Sequence, residues 1–173
     1  MTKAWINKIY NADDCSYFLI WYTDENGNDR VFAENNKIQN FSTENNAKEK
    51  ISKSGFEYQD TVFYDAERLN YWISTGRDHH TYLPFSEPKQ IDCNFLLDFW
   101  NLFTDIAFSI DMKLEPVRTK RADKCYNKLF RGCHTAATTD TDYIPLFKRK
   151  DLEFIRELMN TGMQILKDNS EWQ

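Results

Sequence analysis

Alternation of apolar and polar residues with a period of two marks the beginning of the chain. Residues 5–10 alternate moderately and predict an opening strand, and the run SYFLIWYT at 16–23 is rich in the aromatic residues that strands favour. Asn26 and Gly27 stand between this run and RVFAE at 30–34. An Asn-Gly pair in that position indicates a β-hairpin, because both central residues of a type I′ turn need positive φ.

Five later segments follow the helical period of three to four residues. Most of them begin at a capping residue or end near a glycine. The segments are residues 42–54, which end before Gly55; 65–75, which begin at Asp65 and end before Gly76; 92–110; 119–131, which end before Gly132; and 149–167. Residues 61–64 can add a strand before the second of these helices.

The most apolar segment, NFLLDFWNLFTDIAFSI at 94–110, carries a polar stripe. The members of the stripe recur at steps of three or four and are Asn94, Asp98, Asn101, Asp105 and Ser109. A helix this apolar packs on more than one side and leaves only the stripe for water or a partner. Each aspartate in the run costs about 2.5–3.5 kcal/mol at a bilayer centre, which excludes a membrane span.

The order of the elements, with strands first and mostly helices afterwards, indicates an α+β protein. We expect a small antiparallel sheet, the N-terminal hairpin, packed beside a mainly helical C-terminal cluster. A length of 173 residues fits a single domain, 1–173, since domains commonly run to about 100–150 residues with a core of their own.

Charge is distributed unevenly along the chain. The net charge is −5, but residues 113–131 hold seven basic and two acidic side chains and leave a net of −10 for the remainder. One face of the folded protein is therefore expected to be acidic and another basic. An acidic field favours cationic partners and disfavours phosphate backbones.

The N-terminus and the cysteines indicate a cytoplasmic protein. The opening residues, MTKAWINKIYNADD, lack the charged and then apolar pattern of an export signal. Cys15, Cys93, Cys125 and Cys133 form no CxxC pair and no zinc-like spacing. We expect reduced thiols and no bound metal.

Residues with catalytic potential form no recognisable constellation. Asp98 and Asp105 are seven positions apart, about 10 Å along a helix, near or beyond the upper limit for an inverting carboxylate pair. The adjacent His79 and His80 point in different directions on any regular element. No phosphate-binding glycine motif occurs, so we expect no cofactor and no enzymatic activity. A hydrolase that uses Asp98, Asp105 or the histidines in a cleft ranks third, behind two hypotheses in which the protein binds another macromolecule.

The basic segment 119–131 is the candidate for nucleic-acid binding. Its outward face carries Lys120, Lys124, Lys128 and Arg131, which are able to contact phosphates. The acidic total, and the frequency of exposed basic residues on helices, favour a solvated face instead. A nucleic-acid-associated regulatory protein is therefore the alternative hypothesis.

Several stretches resemble a family of bacterial immunity proteins. They are VFYDAERLNYWI, IDCNFLLDFWNLFTDIAFSI, YNKLF and the closing amphipathic helix, spread over residues 62–167. In this pattern, and most of all in LLDFWNLFTDIA, the chain is similar to proteins that protect cells from contact-dependent growth inhibition and related polymorphic toxins. The resemblance implies a cytoplasmic antitoxin that blocks one cognate toxin domain by occlusion, without catalytic residues of its own.

The same resemblance implies a basic partner, since many such toxins are nucleases that must hold phosphates. Opposite potentials speed encounter and fix orientation, while desolvated aromatic side chains supply most of the affinity. The candidate toxin-binding residues are the hairpin acids Asp24, Glu25 and Asp29 and the stripe residues Asp98, Asn101 and Asp105. The basic helix 119–131 does not fit a wholly acidic binding surface. Two roles stay open for it, contact with an acidic patch on the toxin and contact between two copies of the protein in a dimer.

Overall fold

A computed structural model describes the protein over residues 2–10, 16–75, 92–114, 119–133 and 143–173. The strands in these segments are β1 (Lys3–Tyr10), β2 (Tyr17–Thr23), β3 (Asp29–Val31), β4 (Ala33–Glu34), β5 (Lys37–Phe41), β6 (Glu57–Asp65) and β7 (Ser170–Trp172). The helices are α1 (Glu44–Lys53), α2 (Ala66–Thr75), α3 (Cys93–Ser109), α4 (Lys120–Gly132) and α5 (Arg149–Asn169). Most strands precede most helices, and the predicted α+β class is confirmed.

The strands form one mixed sheet. Five of them follow the order β4-β5-β2-β1-β6, with β3 paired to β2 and β7 paired to β5. β1 is antiparallel to β2, but β6 is parallel to β1 and β7 is parallel to β5. The sheet is therefore mixed, and it is larger than the small antiparallel sheet that the sequence predicts. The two parallel pairings join segments far apart in the chain, and local alternation of residues carries no information about such pairings.

The predicted hairpin between β2 and β3 is present, but its turn differs. Thr23 pairs with Asp29, which leaves a five-residue loop. Only Gly27 in this loop has positive φ, at 79°. The Asp24 carboxylate accepts hydrogen bonds from the backbone nitrogens of Asn26 and Asn28, each at 2.9 Å. The hydrogen bonds that the Asp24 side chain accepts therefore stabilise a five-residue loop in place of the two-residue type I′ turn that the sequence predicts.

A turn of the expected kind occurs instead between β4 and β5. Asn35 and Asn36 have φ of 52° and 58°, and the flanking residues Glu34 and Lys37 pair across the strands. Positive φ at both central residues is the requirement of a type I′ turn, and asparagine tolerates it better than most residues. The Asn-Asn pair therefore carries the hairpin signal that the sequence prediction assigned to Asn-Gly.

Helices cover both faces of the sheet. On one face α1 packs against β1, β2 and β5 through a cluster formed by Ala4, Ile6, Ile20, Phe41, Ala47 and Ile51. On the opposite face Ile9, Leu19, Val31 and Ile38 join the larger core, to which α2, α3, α4 and α5 contribute. The domain is thus a three-layer arrangement with α3 next to the sheet.

The central helix α3 is capped by Asp92, whose carboxylate accepts a hydrogen bond from the backbone nitrogen of Phe95 at 3.1 Å. Its buried side chains are Cys93, Leu96, Leu97, Phe99, Trp100, Leu102, Phe103, Ile106 and Ala107. The broad apolar arc predicted from the sequence is confirmed. Across the segments that the structure describes, no helix combines the length and apolarity needed to cross a membrane.

The last helix, α5, packs closely against α3. At Gly162 an added Cβ would lie 2.2 Å from Cγ of Phe103, so only glycine fits between the two helices. The helix extends two residues beyond the predicted end at 167 and leads directly into β7. Its contact with α3 fixes one side of the central helix and leaves the polar stripe on another.

Candidate functional site

An open cleft of about 540 Å³ lies between the sheet and α3. β1 contributes Trp5 and Asn7 to its walls, and β2 contributes Trp21. Tyr64 comes from β6 and Tyr126 from α4. A cleft of this volume is within the range of about 300–1,000 Å³ that is usual for ligand pockets.

The polar stripe of α3 faces this cleft. Asp98, Asn101 and Asp105 all line it, because residues at steps of three and four share one side of a helix while the remaining sides of α3 are buried. Asp98 and Asn101 are exposed at the mouth, and Asp105 is half-buried. The three stripe residues proposed from the sequence are thus brought together.

Asp105 is the deepest acid of the cleft. Its Oδ2 accepts a hydrogen bond of 2.9 Å from Nε1 of Trp21. Burial raises the pKa of Asp105 from 3.8 to about 6, the Trp21 bond lowers the pKa in part, and the nearby charge of Asp29 raises it further. The carboxyl group therefore loses its proton just below neutral pH.

Two further groups that line the cleft also have raised pKa values. Asp98 is exposed but its carboxyl is partly screened from water, and this partial burial, followed by the charge of Asp92, raises the pKa of Asp98 above its usual value. Burial also raises the pKa of Tyr64, with further contributions from Asp98 and Asp105. Among the described residues, no lysine or arginine forms an ion pair with either cleft aspartate. The cleft is acidic and lacks a compensating cation from these parts of the chain.

The two amide side chains of the cleft differ in their hydrogen bonding. Asn101 Oδ1 accepts a hydrogen bond of 3.1 Å from the Tyr126 hydroxyl, which ties α3 to α4. Asn7 is only 4% exposed and lines the cleft, yet its side chain makes no hydrogen bond within the described segments. Such a group at a cleft wall is available to a ligand.

The hairpin acids do not act as one group. Asp29 lines the cleft beside the α3 stripe. Asp24 instead pairs with Arg30 at 3.2 Å, and the backbone nitrogen of Asn28 is the largest influence holding its pKa below the usual value. Glu25 is exposed in the loop. Of the three candidates, Asp29 joins the cleft, Asp24 stabilises the hairpin and Glu25 remains a surface residue.

The basic helix is partly engaged with the protein itself. Nζ of Lys124 and of Lys128 lie 3.3 and 3.4 Å from Oδ2 of Asp151, which is 3% exposed. Lys128 also donates to the backbone oxygen of Leu146 at 2.6 Å. Burial alone raises the pKa of Asp151, but the two ammonium groups outweigh burial and hold it below its usual value. Two of the four proposed phosphate contacts therefore neutralise an internal acid.

The remaining members of that face differ from each other. The Arg131 guanidinium lies over the ring of Tyr143 at 4.2 Å. Lys120, at the first turn of α4, is exposed. The histidines His79 and His80 lie outside the described residues. Within the described segments, no group of three or more potential metal ligands comes together.

Sequence reasoning missed several cleft residues. Trp5 and Asn7 are two apart in β1 and therefore share a face, and an asparagine at an inward position of a strand is the signal that was available. The aromatic residues Trp21, Tyr126, Trp72 and Trp100 differ in burial. The latter two are buried, whereas Trp21 and Tyr126 are half-buried at the cleft.

Comparisons with known proteins identify the fold and no family. No family model matches the chain. No curated protein matches it. The chain is similar to a crystal structure of the SatS C-terminal domain in complex with bromine, with a TM-score of 0.51 and 10% sequence identity over 99% of this chain and 94% of that chain. At this identity the likeness concerns the α+β fold alone.

Proposed function

We propose that this protein is an immunity protein that binds a basic toxin domain through the acidic cleft and blocks it by occlusion. The observation that carries the proposal is the cleft itself, in which Asp29, Asp98 and Asp105 line the same space as aromatic side chains. Aromatic anchors beside complementary charge are the usual energetic centre of a protein interface.

The state of Asp105 supports a cationic partner. A half-buried carboxylate with a raised pKa is destabilising in the unbound protein, because burial penalises its charged form. A cation that enters the cleft reverses that penalty. Proteins tend to keep such perturbed groups where binding or catalysis requires them.

The resemblance to immunity proteins of contact-dependent growth inhibition supports the same partner. The resembling stretch, residues 62–167, includes Tyr64, the α3 stripe and Tyr126. Toxins of this kind are often nucleases with basic surfaces. The net charge of −10 outside residues 113–131 favours fast encounter with such a surface.

Co-expression tests the proposal. The protein is produced together with a candidate toxin domain, taken from a reading frame immediately upstream of its gene, and both survival of the cells and co-purification are measured. We expect protection, a stable complex, and a loss of about 2–5 kcal/mol of affinity in the double variant Asp98→Asn, Asp105→Asn. The Glu157→Gln exchange removes an exposed charge outside the cleft, so it should leave affinity unchanged. Cell death together with a failure to co-purify rejects the proposal.

A second candidate function is hydrolysis, because Asp98 and Asp105 line one cleft and a carboxyl group with a pKa of about 6 suits a general acid. The two functions separate in the pure protein. A hydrolase would turn over a substrate without any partner and would lose that turnover in Asp105→Asn. A binding protein shows no turnover, and the same variant weakens only its complex.

A further inference from the structure

The acidic cleft has a chemistry more specific than negative charge. We propose that it is an arginine pocket, in which Asp105 and the amide oxygen of Asn7 receive the guanidinium group of one arginine from the partner protein, while Asp98 adds negative charge at the mouth. The inference rests on the proposed function, since it names the side chain by which a basic partner is held. It does not depend on what the partner does.

The hydrogen-bond acceptors of the cleft suit a planar group with several donors. Asp105 uses Oδ2 for the Trp21 indole, and its Oδ1 has no partner within the described residues. Asp98 comes from the same helix face two turns away, and Asn7 lies on the opposite wall, in β1. Guanidinium carries five N–H donors in a flat fork, whereas ammonium is a compact point charge. Acceptors on two walls are therefore better matched by guanidinium.

The buried Asn7 side chain is the observation that singles out a ligand. It is more than nine-tenths buried, it lines the cleft, and no described residue hydrogen-bonds its amide. An acidic cluster alone is satisfied by water and mobile ions. The amide oxygen of Asn7 faces the same space and is able to accept a hydrogen bond from a donor that reaches past the carboxylates to the sheet.

The aromatic walls favour the same group. The rings of Trp5 and Trp21 meet edge to face with centroids 5.0 Å apart, and Tyr64 and Tyr126 line the space beside them. Arginine stacks on aromatic faces more readily than lysine does. The chain's own cations show this preference, since the guanidinium of Arg30 lies 3.8 Å from the centre of the Phe108 ring and the ammonium of Lys8 lies 5.4 Å from that of Phe18.

A titration of the unbound protein tests the inference without any toxin. The probe is N-acetyl-arginine methylamide, followed at pH 7.5 through the NMR signal of the Trp21 indole N–H. The matched probes are the lysine compound and the citrulline compound, which has nearly the shape of arginine and no charge. We expect saturable shifts with arginine in about the millimolar range, weaker shifts with lysine and none with citrulline.

Variants assign the binding to the cleft. We expect Asp105→Asn to weaken arginine binding about tenfold, corresponding to about 1.4 kcal/mol, and Asn7→Leu to weaken it while leaving the response to lysine nearly unchanged. Glu157→Gln should bind arginine as the parent does. The spectrum of each variant reports whether it is folded, and Asp105→Asn retains an oxygen for the Trp21 hydrogen bond.

Three results overturn the inference: no saturable shift at about 100 mM arginine probe, equal shifts with citrulline, or arginine binding that survives Asp98→Asn combined with Asp105→Asn. The outcome is separable from that of the proposed function. A toxin complex without arginine binding retains the proposed function and rejects the pocket. Arginine binding without a toxin complex retains the pocket and rejects the proposed function.

Discussion

The indole nitrogen of Trp21 donates a hydrogen bond of 2.9 Å to Oδ2 of Asp105, and so joins β2 to α3 across 84 positions of the chain. The bond links a half-buried aromatic wall of the cleft to its deepest acid. It also lowers the pKa of Asp105, which burial would otherwise raise further. One contact thus connects the packing of the central helix with the charge of the cleft.

Replacement of Trp21 by phenylalanine is expected to separate these two effects. Trp21→Phe keeps an aromatic ring and removes the donor, so the pKa of Asp105 should rise above its present value of about 6. The free energy of unfolding should fall by about 1–3 kcal/mol at pH 7.5, because a half-buried acceptor loses its partner. Urea unfolding measures the free energy of unfolding, and an NMR titration of the Asp105 carboxyl carbon measures the pKa.

The exposed Trp172 provides a matched control in β7. Trp172→Phe should change neither the pKa of Asp105 nor the stability by more than about 0.5 kcal/mol. An unchanged Asp105 titration in Trp21→Phe would show that the hydrogen bond has no influence on the cleft charge.

The protein is expected to become more stable when Asp105 is neutralised. The pKa of about 6 in the folded state lies above the usual value of 3.8, so between these pH values the folded state holds the proton more tightly. Stability therefore falls as pH rises from about 4 to 6, by an amount on the order of 2 kcal/mol. Asp105→Asn should recover about 1–2 kcal/mol at pH 7.5 and nothing near pH 4.

This pH profile is measured by chemical unfolding at a series of pH values. The other charged or titratable groups that face Asp105 are Asp29 from β3, Asp98 from α3, Tyr64 from β6 and Tyr126 from α4, and all remain in the variant. Glu157→Gln should unfold as the parent does. A loss of stability in Asp105→Asn at pH 7.5 would contradict an uncompensated charge in the cleft, and a gain in stability with a loss of binding is the expected trade-off.

The two lysines nearest Asp151 should prove structural. Lys128→Met keeps most of the aliphatic stem but removes the positive charge beside Asp151 and the hydrogen-bond donor to the backbone oxygen of Leu146. Stability should therefore fall by about 1–3 kcal/mol. Because the pKa of Asp151 is lowered in the folded protein, the stabilisation is present above about pH 4 and is lost as pH falls below that value.

Lys120→Met is the matched control on the same helix, and its stability should stay within about 0.5 kcal/mol of the parent's. Equal stabilities of the two variants would argue that the ion pairs with Asp151 contribute nothing. A salt-sensitive affinity for DNA that drops equally in both variants would favour the nucleic-acid alternative.

The contact between α5 and α3 is expected to tolerate no side chain at Gly162. In Gly162→Ala the new methyl group meets the buried ring of Phe103, and overpacking of this kind costs about 1–3 kcal/mol. Thr161→Ala, one position earlier on α5, should be neutral or slightly stabilising, since alanine has the higher helix propensity. Thermal unfolding of the pair distinguishes the close approach from a general effect on the helix, and a stable Gly162→Ala protein would contradict the close approach.

The sequence by itself determined the five helices, most of the strands and one face of the site, whereas β5 and β7 were not predicted. The spacing of Asp98, Asn101 and Asp105 predicts a shared helix face, and the capping residue Asp92 predicts where α3 begins. These features depend on neighbours within one or two turns, so a local pattern is enough to reveal them. The same holds for the hairpin between β2 and β3, although the loop conformation depends on the side chain of Asp24.

Only the tertiary structure decided what the polar stripe faces. Whether Asp105 meets water, a helix or Trp21 depends on how α3 lies across the sheet, and the parallel pairing of β6 with β1 brings Tyr64 to the same cleft. The same holds for Lys124 and Lys128. The sequence of α4 alone predicts that both lysines face solvent, whereas in the folded protein α5 places Asp151 beside them. Contacts between distant segments are governed by the packing of the whole core, and that packing leaves no period in the sequence.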